Sequence, residues 1–335
     1  MTGYKSLFFI LLFFIFLFAG LNFFQMRELE ELEFKLTKYS EYSQGFNRLH
    51  SVFYEIRKNS LDQDKISDND LFDGAIEGMV KSANDFNVYL KKSQEEKLLA
   101  AEKLISRVVF DQFKVGYIRI PSFYTGSSGD FEMAVKFLSD NKIGRLIIDL
   151  RNNLGGSFGE AVEMANVLLE SGRVMSIEED SNGKRNIYKA TGVIDYKRPI
   201  TILKPVFKNT KLKLILLVNQ YTASASEVLS AALKYNSKAV IMGQNTYGKG
   251  LSGRIFSLPD GSYVLLITRR LFGPNGEVIN GVGIKPDIYI NPPKEKFIQG
   301  NLQRDEELFN AVNIFYSECS GRGKKLSCYD YFLNS

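Results

Sequence analysis

Histidine, cysteine and tryptophan are scarce in this chain of 335 residues, which has one histidine, two cysteines and no tryptophan. Structural zinc sites are built mainly from clustered cysteine and histidine, so we expect no zinc set, and no pattern indicates another metal or a cofactor. The carboxylates Asp149, Glu160 and Glu163 are scattered and are typical of strand ends and helix surfaces. A Ser/His/Asp triad would need His50, which lies in an N-terminal segment of helical character.

A strong charge of either sign is also missing. The formal net charge is +5 and the lysines are scattered rather than clustered, so we expect no nucleic-acid binding. Hydrophobic residues make up 44% of the chain, which at this length is enough for one large folded domain and a smaller helical one.

A long apolar run occupies the first residues. Leu7 to Phe24 is apolar except for Gly20 and Asn22, and a helix of this length spans roughly 27 Å, close to the ~30 Å hydrocarbon core of a bilayer. We therefore interpret residues 1–26 as a transmembrane anchor. Lys5 before the run favours a cytoplasmic N-terminus, which places the rest of the chain outside the cytoplasm, in the periplasm. A cleaved signal peptide stays the alternative, although no Ala-x-Ala site or lipobox cysteine ends the run.

The patterns after this run divide the chain into three further parts. Residues 27–107 have helical periodicity, with a helix start signal at Ser67-Asp-Asn-Asp70. Residues 108–292 alternate short β-branched runs with helical stretches, which predicts an α/β core. Residues 293–335 form a C-terminal extension with a predicted helix over Glu306 to Phe315.

Ser224 and Lys249 form the pair that points most directly to chemistry. Ser224 lies among small residues in Thr222-Ala-Ser-Ala-Ser-Glu227, directly after the apolar run Leu212 to Val218. A serine exposed at such a strand-to-helix turn can act as a nucleophile if a neighbouring base removes its proton. Lys249, in Thr246-Tyr-Gly-Lys-Gly250, would need its pKa lowered by roughly three units from about 10.4, which burial can provide. Taken separately, Ser224 would be a helix N-cap and Lys249 a solvated turn residue.

Ordered motifs along most of the chain share the pattern of one enzyme family. They are Leu71-Phe-Asp-Gly-Ala-Ile-Glu-Gly-Met79, Val115-Gly-Tyr-Ile-Arg-Ile120, Ile148-Asp-Leu-Arg-Asn-Asn-Leu-Gly-Gly156, Leu217-Val-Asn219 and Gly281-Val-Gly-Ile-Lys-Pro-Asp287. With these motifs the chain resembles the C-terminal processing peptidases, or tail-specific proteases, which are Ser/Lys serine endopeptidases. The resemblance implies a peptidase core of mixed β-sheets and helices, of the crotonase-like kind, and protein or peptide substrates. It also implies that Ser224 is the nucleophile and Lys249 the base, whereas Ser226 is a helix-start residue.

The oxyanion of an acyl-transfer intermediate needs two aimed N–H groups. The amide of Ala225 lies at the start of the helix predicted for Glu227 to Lys234, where early N–H groups have no intrahelical partner. Gly155 and Gly156 lie between a predicted strand and a predicted helix, where a glycine pair is usually only a turn. The resemblance implies that this glycine pair contributes the second donor.

Two positions depart from the family's pattern. Many members have a glutamine four residues after the catalytic lysine to orient the amine, and this chain has Gly253 there. Either another polar residue replaces the glutamine, or a Ser/Lys dyad suffices; the polar residues considered are Ser252, Gln220 and Gln244. Leu154 replaces a proline that is common in the loop with the oxyanion glycines. Gly253 and Leu154 together leave a second hypothesis, in which the chain keeps the peptidase fold but has reduced peptidase activity.

A domain that is usual in the family is missing from the pattern. A PDZ domain that recognises substrate C-termini lies between the segments matched here by Tyr89-Leu90 and Gly116-Tyr-Ile-Arg119. The intervening residues, largely the charged stretch Lys91 to Lys103, are too few for its several strands. We therefore expect no PDZ domain, and an adaptor protein becomes a possible partner in substrate recognition.

The two cysteines, Cys319 and Cys328, lie close together near the C-terminus. In the oxidising compartment predicted from the N-terminal run, such a pair favours a disulfide, with two buried free thiols as the alternative. The disulfide prediction therefore depends on the predicted location.

Two other functions fit parts of the chain. Gly243-Gln-Asn-Thr-Tyr-Gly-Lys-Gly250 matches the phosphate-loop pattern G-x-x-x-x-G-K, but Gly250 stands where serine or threonine should hold magnesium. A phosphate loop must also open a helix, and the residues that follow are typical of strand and turn. The stronger alternative is a catalytically impaired scaffold that keeps the peptidase fold and binds protein partners, because of Gly253 and the missing PDZ domain.

Overall fold

The computed structural model describes the backbone of residues 3–60, 65–91, 106–110, 113–191, 212–292, 299–321 and 324–327. Side chains are described within these ranges except at 3–25, 28, 32, 106–109 and 318–327. Packing divides the chain into two units, Met1–Gly78 and Met79–Ser335.

Strands and helices alternate through most of the second unit, which confirms the predicted α/β core. The helices are α1 (Gly3–Asn59), α2 (Asp68–Ala83), α3 (Ser127–Asp140), α4 (Phe158–Leu168), α5 (Ala225–Tyr235) and α6 (Glu306–Ile314). The strands are β1 (Val88–Leu90), β2 (Ser106–Phe110), β3 (Val115–Arg119), β4 (Arg145–Asp149), β5 (Val174–Asp180), β6 (Arg185–Lys189), β7 (Lys213–Val218), β8 (Ala239–Gly243), β9 (Leu251–Ser257), β10 (Tyr263–Phe272), β11 (Ile288–Tyr289), β12 (Glu318–Gly321) and β13 (Lys324–Ser327). The terminal helix predicted from the sequence is confirmed as α6.

The first unit consists of α1 and the first part of α2. The hydroxyl of Ser67 donates to Asp70 Oδ2 at 2.6 Å and accepts the N–H of Asp70 at 3.1 Å. This exchange satisfies an N–H group that has no partner within the first turn of a helix. Phe53 of α1 stacks on Phe72 of α2, with ring centroids 5.1 Å apart. The predicted helix start at Ser67–Asp70 is therefore confirmed.

In the part of the chain whose side chains are described, no helix is both long and apolar enough to cross a membrane. The predicted anchor lies at residues 1–26, and the side chains of residues 1–25 are outside the described set. The anchor therefore stays a prediction from the sequence.

The larger sheet of the second unit runs β11-β8-β7-β4-β3-β2 in spatial order. Its neighbouring strands are parallel, except for the antiparallel pair β2 and β3. The central segments Leu146–Asp149, Leu214–Val218 and Ala239–Gly243 are buried throughout. Parallel strands covered on both faces are continuous apolar runs rather than alternating ones, which explains why these strands are recognisable in the sequence.

Apolar clusters cover both faces of this sheet. On one face, the helices α3, α4 and α5 pack through residues that include Phe131, Met164 and Leu229. On the other face, α6 packs through Leu308 and Val312. The carboxyl ends of β4 and β7 are thereby held between two layers, and each leads into a loop of the site described below.

The second sheet is antiparallel and runs β1-β10-β5-β6, with β9 also paired to β10. The register of β9 and β10 shifts between Ile267 and Arg269, which leaves Thr268 as the extra residue of a β-bulge. Because β9 begins directly after Lys249 and Gly250, this sheet holds one end of the loop that contains the lysine.

One secondary-structure prediction is wrong. Helical periodicity predicted helix up to residue 107, but α2 ends at Ala83 and Val88–Leu90 is a strand paired with β10. The side chain of Asn87 explains the difference, because it donates to the carbonyl of Val80 and accepts the N–H of Ile267 in β10. Contacts with a distant strand therefore override the local periodicity.

Three further predictions depend on residues that are wholly or partly outside the described set. The division between the two units lies at Gly78 rather than at residue 107, but residues 92–105, where a PDZ domain was judged absent, are not described. Cys328 also lies outside the described residues, and for Cys319 only the backbone is described, in the hairpin of β12 and β13. The missing PDZ domain and the disulfide stay predictions, as does the boundary predicted at residue 292, because residues 293–298 are not described.

Candidate active site

Ser224 lies in the turn between β7 and α5, as the sequence predicted. Its φ of 57° and ψ of −116° belong to a region that residues other than glycine rarely adopt, so its backbone is strained. Its N–H donates to Glu227 Oε2 at 2.8 Å, which holds the turn in this conformation. A serine on a strained strand-to-helix turn is the arrangement of a nucleophile elbow, in which the hydroxyl is exposed to substrate. The local geometry of Ser224 thus suits a nucleophile.

Ser226 occupies a different environment. Its side chain is fully buried, and its hydroxyl donates to the carbonyl of Asn153 at 3.2 Å. Ser224, by contrast, is only half-buried. A substrate can therefore approach Ser224 and not Ser226, which agrees with the choice between the two serines made from the sequence.

Lys249 lies in the loop between β8 and β9, with its side chain half-buried. The Nζ atom is 4.6 Å from the ring centroid of Phe86, and it makes no hydrogen bond or ion pair with any residue that the structure describes. Burial lowers the pKa of Lys249 below its ordinary value. This is the direction that a lysine base requires, because removal from water disfavours the charged amine.

Glu227 connects the two residues. Its carboxylate is fully buried, and Oε2 accepts the backbone N–H groups of both Ser224 and Lys249, each at 2.8 Å. The two backbone nitrogens therefore lie no further apart than twice that distance. A single side chain thus holds the main chain of the serine next to the main chain of the lysine, the two residues that were paired from the sequence.

The second oxygen of Glu227 is also fully used. Oε1 accepts the N–H of Gly248 at 2.7 Å and the hydroxyl of Thr246 at 2.5 Å. Glu227 was not predicted as a site residue from the sequence. A signal was present, because a serine followed three residues later by glutamate at a helix start is the capping-box pattern. That pattern predicts the contact with Ser224, but it does not predict the contacts with Thr246, Gly248 and Lys249.

Gly155 lies directly against the turn of Ser224, and Gly156 lies against the main chain of Phe123. Gly155 has a φ of 106°, and a Cβ atom there would lie 2.8 Å from the Cβ of Ser224. Gly156 has a φ of 139°, and a Cβ atom there would lie 2.4 Å from the carbonyl oxygen of Phe123. Only glycine combines these conformations with such close approach. Both positions therefore require glycine, because a larger residue would clash with the neighbouring main chain or with Ser224.

The two glycine amides differ in availability. The N–H of Gly155 donates to Asn153 Oδ1 at 2.8 Å and is already used. The N–H groups of Gly156 and Ala225 have no acceptor among the described residues, and Ala225 is the first residue of α5, where an N–H is unpaired and the helix dipole favours negative charge. The candidate oxyanion donors are accordingly Gly156 and Ala225, and Gly155 makes room for Ser224.

Asn153 fixes the loop that carries these glycines. Its side chain is buried and donates to the carbonyl of Ile120 at 2.8 Å, in addition to accepting from Gly155. The backbone carbonyl of Asn153 accepts the N–H of Ala223 at 3.0 Å, next to Ser224. The neighbouring Leu154, which replaces the family's proline, is 71% exposed. Hydrogen bonds of Asn153, rather than a proline ring, therefore hold this loop.

The position of the family's third catalytic residue has no side chain and lies in an exposed part of the chain. Gly253 lies in β9, and a Cβ atom there would lie 2.8 Å from Leu265 Cδ2 and 3.1 Å from the carbonyl oxygen of Leu266. The polar residues proposed as substitutes do not bind the amine, since Lys249 Nζ has no hydrogen-bond partner among the described residues; they are Ser252, Gln220 and Gln244. Within the described part of the chain no third residue binds the amine, and Lys249 Nζ makes no hydrogen bond with Ser224 Oγ either, so the Ser/Lys dyad stays a prediction from the sequence.

The phosphate-loop pattern at Gly243–Gly250 does not form a phosphate site. The residues after it form the strand β9 instead of a helix. The N–H groups of Gly248 and Lys249, which would have to face a phosphate, donate to the carboxylate of Glu227. A bound carboxylate therefore already occupies the anion-binding position of this loop.

A buried cluster of charged residues lies at the start of the loop that leads to Gly155 and Gly156. The guanidinium of Arg151 is 1% exposed and binds three carboxylates: Asp149 Oδ2 at 2.6 Å, Asp305 Oδ2 at 2.7 Å and Glu307 Oε2 at 2.6 Å. Tyr117 donates its hydroxyl to Asp149 Oδ2 at 2.8 Å. Burial alone would raise the pKa of Asp149, but the charge and hydrogen bonds of Arg151 hold that pKa below its ordinary value.

The cluster joins the end of β4 to the beginning of α6. Arg151 is the first residue after Leu150 in the loop that leads to Gly156, and Asp305 caps α6 by accepting the N–H of Leu308 at 3.1 Å. Breaking the cluster would therefore release both the glycine loop and the helix that covers one face of the sheet.

The chain is similar to known peptidases over its core. The model of peptidase family S41 matches residues 114–290, which is more than half of the chain and includes the serine, the lysine and the glycine pair. The C-terminal processing peptidase of the Tetradesmus obliquus chloroplast is 37% identical over 180 residues, which cover 53% of this chain and 36% of that protein. A probable CtpA-like serine protease of Staphylococcus epidermidis is 33% identical over 180 residues, which cover 54% of this chain and 34% of that protein.

A solved structure shows the same fold at lower identity. It is a lipoprotein from Streptococcus agalactiae, with a TM-score of 0.55 and 17% identity over 72% of this chain and 84% of that one. The aligned part spans only about a third of the curated relatives named above, at 36% and 34% of their length.

Proposed function

Because the chain belongs to peptidase family S41, we propose that it is a serine endopeptidase in which Ser224 is the nucleophile and Lys249 the general base. The observation that carries this proposal is the shared carboxylate oxygen of Glu227, which accepts the backbone N–H groups of both residues. The strained turn of Ser224 and the lowered pKa of Lys249 support it. The relatives support cleavage of protein substrates, and the name of one of them, C-terminal processing peptidase, supports cleavage near the C-termini of those substrates.

The proposed reaction has two steps that use the same groups. The neutral amine of Lys249 takes the proton from Ser224 Oγ as that oxygen attacks a peptide carbonyl carbon, and the Gly156 and Ala225 amides stabilise the resulting oxyanion. The C–N bond then breaks, and the ammonium of Lys249 returns the proton to the leaving amine. In the second step water attacks the acyl carbon and gives a proton to Lys249; the bond between that carbon and Ser224 Oγ then breaks, and the ammonium of Lys249 returns the proton to Ser224 Oγ, which regenerates the serine and the neutral amine.

A scaffold that binds proteins without cleaving them is the second candidate, and the absence of a side chain at Gly253 is the observation that favours it. A fluorophosphonate probe distinguishes the two, because it reacts only with an activated serine. We expect the probe to label the full chain on Ser224, to label Ser224→Ala at background level, and to react far more slowly with Lys249→Met. Labelling is followed by mass spectrometry of the peptide that contains the serine. An unlabelled chain that is folded and still binds unfolded protein would support the scaffold.

We also propose that the catalytic unit lies outside the cytoplasm, in the periplasm, attached to the membrane by residues 1–26. The apolar run Leu7 to Phe24 supports this, because a helix of that length can cross the hydrocarbon core of a bilayer. We expect the full chain to sediment with membranes and to be degraded by a protease added outside the cytoplasmic membrane. A soluble mature chain that lacks the first residues would indicate a cleaved signal peptide, and protection from the added protease would contradict the proposed location.

A further inference from the structure

Lys249 has an aromatic neighbour that the reaction described above does not use. Phe86 lies in the turn between α2 and β1, and its ring centroid is 4.6 Å from Lys249 Nζ. A cation and an aromatic face interact within about 6 Å. The amine has no hydrogen bond or ion pair among the described residues, so the ring of Phe86 is the group in contact with it that can influence where it lies.

The turn that carries Phe86 is held firmly on both sides. The N–H of Phe86 donates to Asn84 Oδ1 at 2.9 Å, and the N–H of Asn87 donates to the carbonyl of Asn84 at 2.9 Å. Asn87 also accepts the N–H of Ile267 in β10 at 2.8 Å. The ring is thus fixed to the antiparallel sheet, while the main chain of Lys249 is fixed by Glu227. The ring of Phe86 and the side chain of Lys249 therefore meet because each of their segments is held in place by its own hydrogen bonds.

We propose that Phe86 is a positioning residue for Lys249, which holds the amine and excludes water from it in place of the polar residue that is missing at Gly253. The inference rests on the proposed role of Lys249 as a base. An aromatic ring has two opposing effects on an amine: its face attracts the charged form, whereas its bulk removes the water that solvates that form. Burial lowers the pKa of Lys249, and the ring of Phe86, 4.6 Å from the amine, contributes to that burial; the inference is that this exclusion of water outweighs the attraction of the ring face.

The carboxyl groups on the elements around Lys249 do not replace this role. Glu227 of α5 accepts four hydrogen bonds and contacts only the main chain of Lys249. Asp85, next to Phe86 in the turn, is exposed to solvent. The environment of the amine is therefore set chiefly by apolar contact.

The test compares Phe86→Ala with Phe86→Leu in the full chain, with Phe256→Ala on β9 as a control that removes another partly exposed ring. Phe86→Ala admits water, so the pKa of Lys249 rises and less of the amine is neutral at pH 7. We expect kcat/KM on an unfolded protein substrate to fall by roughly 5- to 10-fold at pH 7, the scale of a weakened general base. The loss should shrink as the pH rises. Phe86→Leu keeps an apolar side chain against the amine, so its kcat/KM should lie closer to that of the parent. The kcat/KM of Phe256→Ala should equal that of the parent.

A second measurement separates this inference from the proposed function. Competitive labelling of amines with acetic anhydride at a series of pH values, quantified on the Lys249 peptide, follows the titration of Lys249 whether or not the chain cleaves anything. We expect the midpoint for Lys249 to move to higher pH in Phe86→Ala and not in Phe256→Ala. Equal midpoints in the parent and Phe86→Ala would overturn the inference, as would an activity loss that is the same at every pH.

Discussion

We expect the replacement of Ser224 by alanine to lower cleavage of an unfolded protein substrate to the background rate, and Lys249→Met to lower kcat/KM by about 10³- to 10⁴-fold. Methionine keeps the unbranched stem of lysine beside Phe86, so the loss reports the missing amine rather than a cavity. Residues that act as one unit are strongly non-additive, so the double variant should be no slower than Ser224→Ala alone. The measurement is the initial rate of proteolysis of a denatured protein such as casein.

Ser226→Ala is the matched control for Ser224→Ala. The Ser226 hydroxyl is buried and donates to the carbonyl of Asn153. Its removal takes one of two hydrogen bonds from that carbonyl, which keeps the bond from the N–H of Ala223. We expect a loss of about 1 kcal/mol in the free energy of unfolding and retained cleavage. Cleavage by Lys249→Met at the parent rate would remove lysine from the mechanism, and full loss in Ser226→Ala alone would reassign the nucleophile.

Replacing Arg151 by methionine lowers the free energy of unfolding by about 3–5 kcal/mol, the usual effect of removing one partner of a buried ion pair. The reason is that Asp149, Asp305 and Glu307 lose their shared cation while they stay buried. The glycine loop and α6 lose their common attachment, so activity should fall together with stability. The measurement is the urea midpoint and slope at pH 7, followed by circular dichroism. A change below about 1 kcal/mol would show that the cluster contributes little to stability.

Glu307→Gln is the control that keeps the shape of the cluster and removes one negative charge. Burial raises the pKa of Glu307, and the nearby carboxylates Asp305 and Asp149 add to this, although Arg151 opposes it. A carboxyl group with a raised pKa in the folded state contributes stability below its unfolded pKa of about 4.3, and this is lost as the pH rises through the folded value. Glutamine does not titrate, so we expect Glu307→Gln to be more stable than the parent by about 1 kcal/mol at pH 8 and equal to it near pH 4. A stability difference that does not change with pH would contradict this.

Much of the core could be predicted because its signals are local. The buried parallel strands β4, β7 and β8 are continuous apolar runs, and Ser67–Asp70 marks a helix start through groups three residues apart. The motif around Ser224 combines a strand end, small residues and a helix start in one short segment, so its turn was also predictable. The roles of the site residues in catalysis stay predictions, which the variants above are designed to test.

Other features depend on contacts that no local pattern contains. The strand β1 was predicted as helix because its pairing depends on β10, and the hydrogen bond from Ile267 to Asn87 joins residues separated by 180 positions. Arg151 and Asp305 are separated by 154 positions. Phe86 was not singled out in the sequence, because a phenylalanine in a polar turn has no signal that identifies its partner.

The sequence by itself determined the α/β core and the family, and it predicted Ser224 and Lys249 as the catalytic pair, since each of these signals lies in a contiguous run with a defined spacing. Only the tertiary structure decided how those two residues are brought together, which glycine amide remains unpaired and what surrounds the amine. The physical reason is that hydrogen bonding and burial depend on which distant segments pack against each other, and Glu227, Asn153 and Phe86 acquire their partners only when the chain has folded.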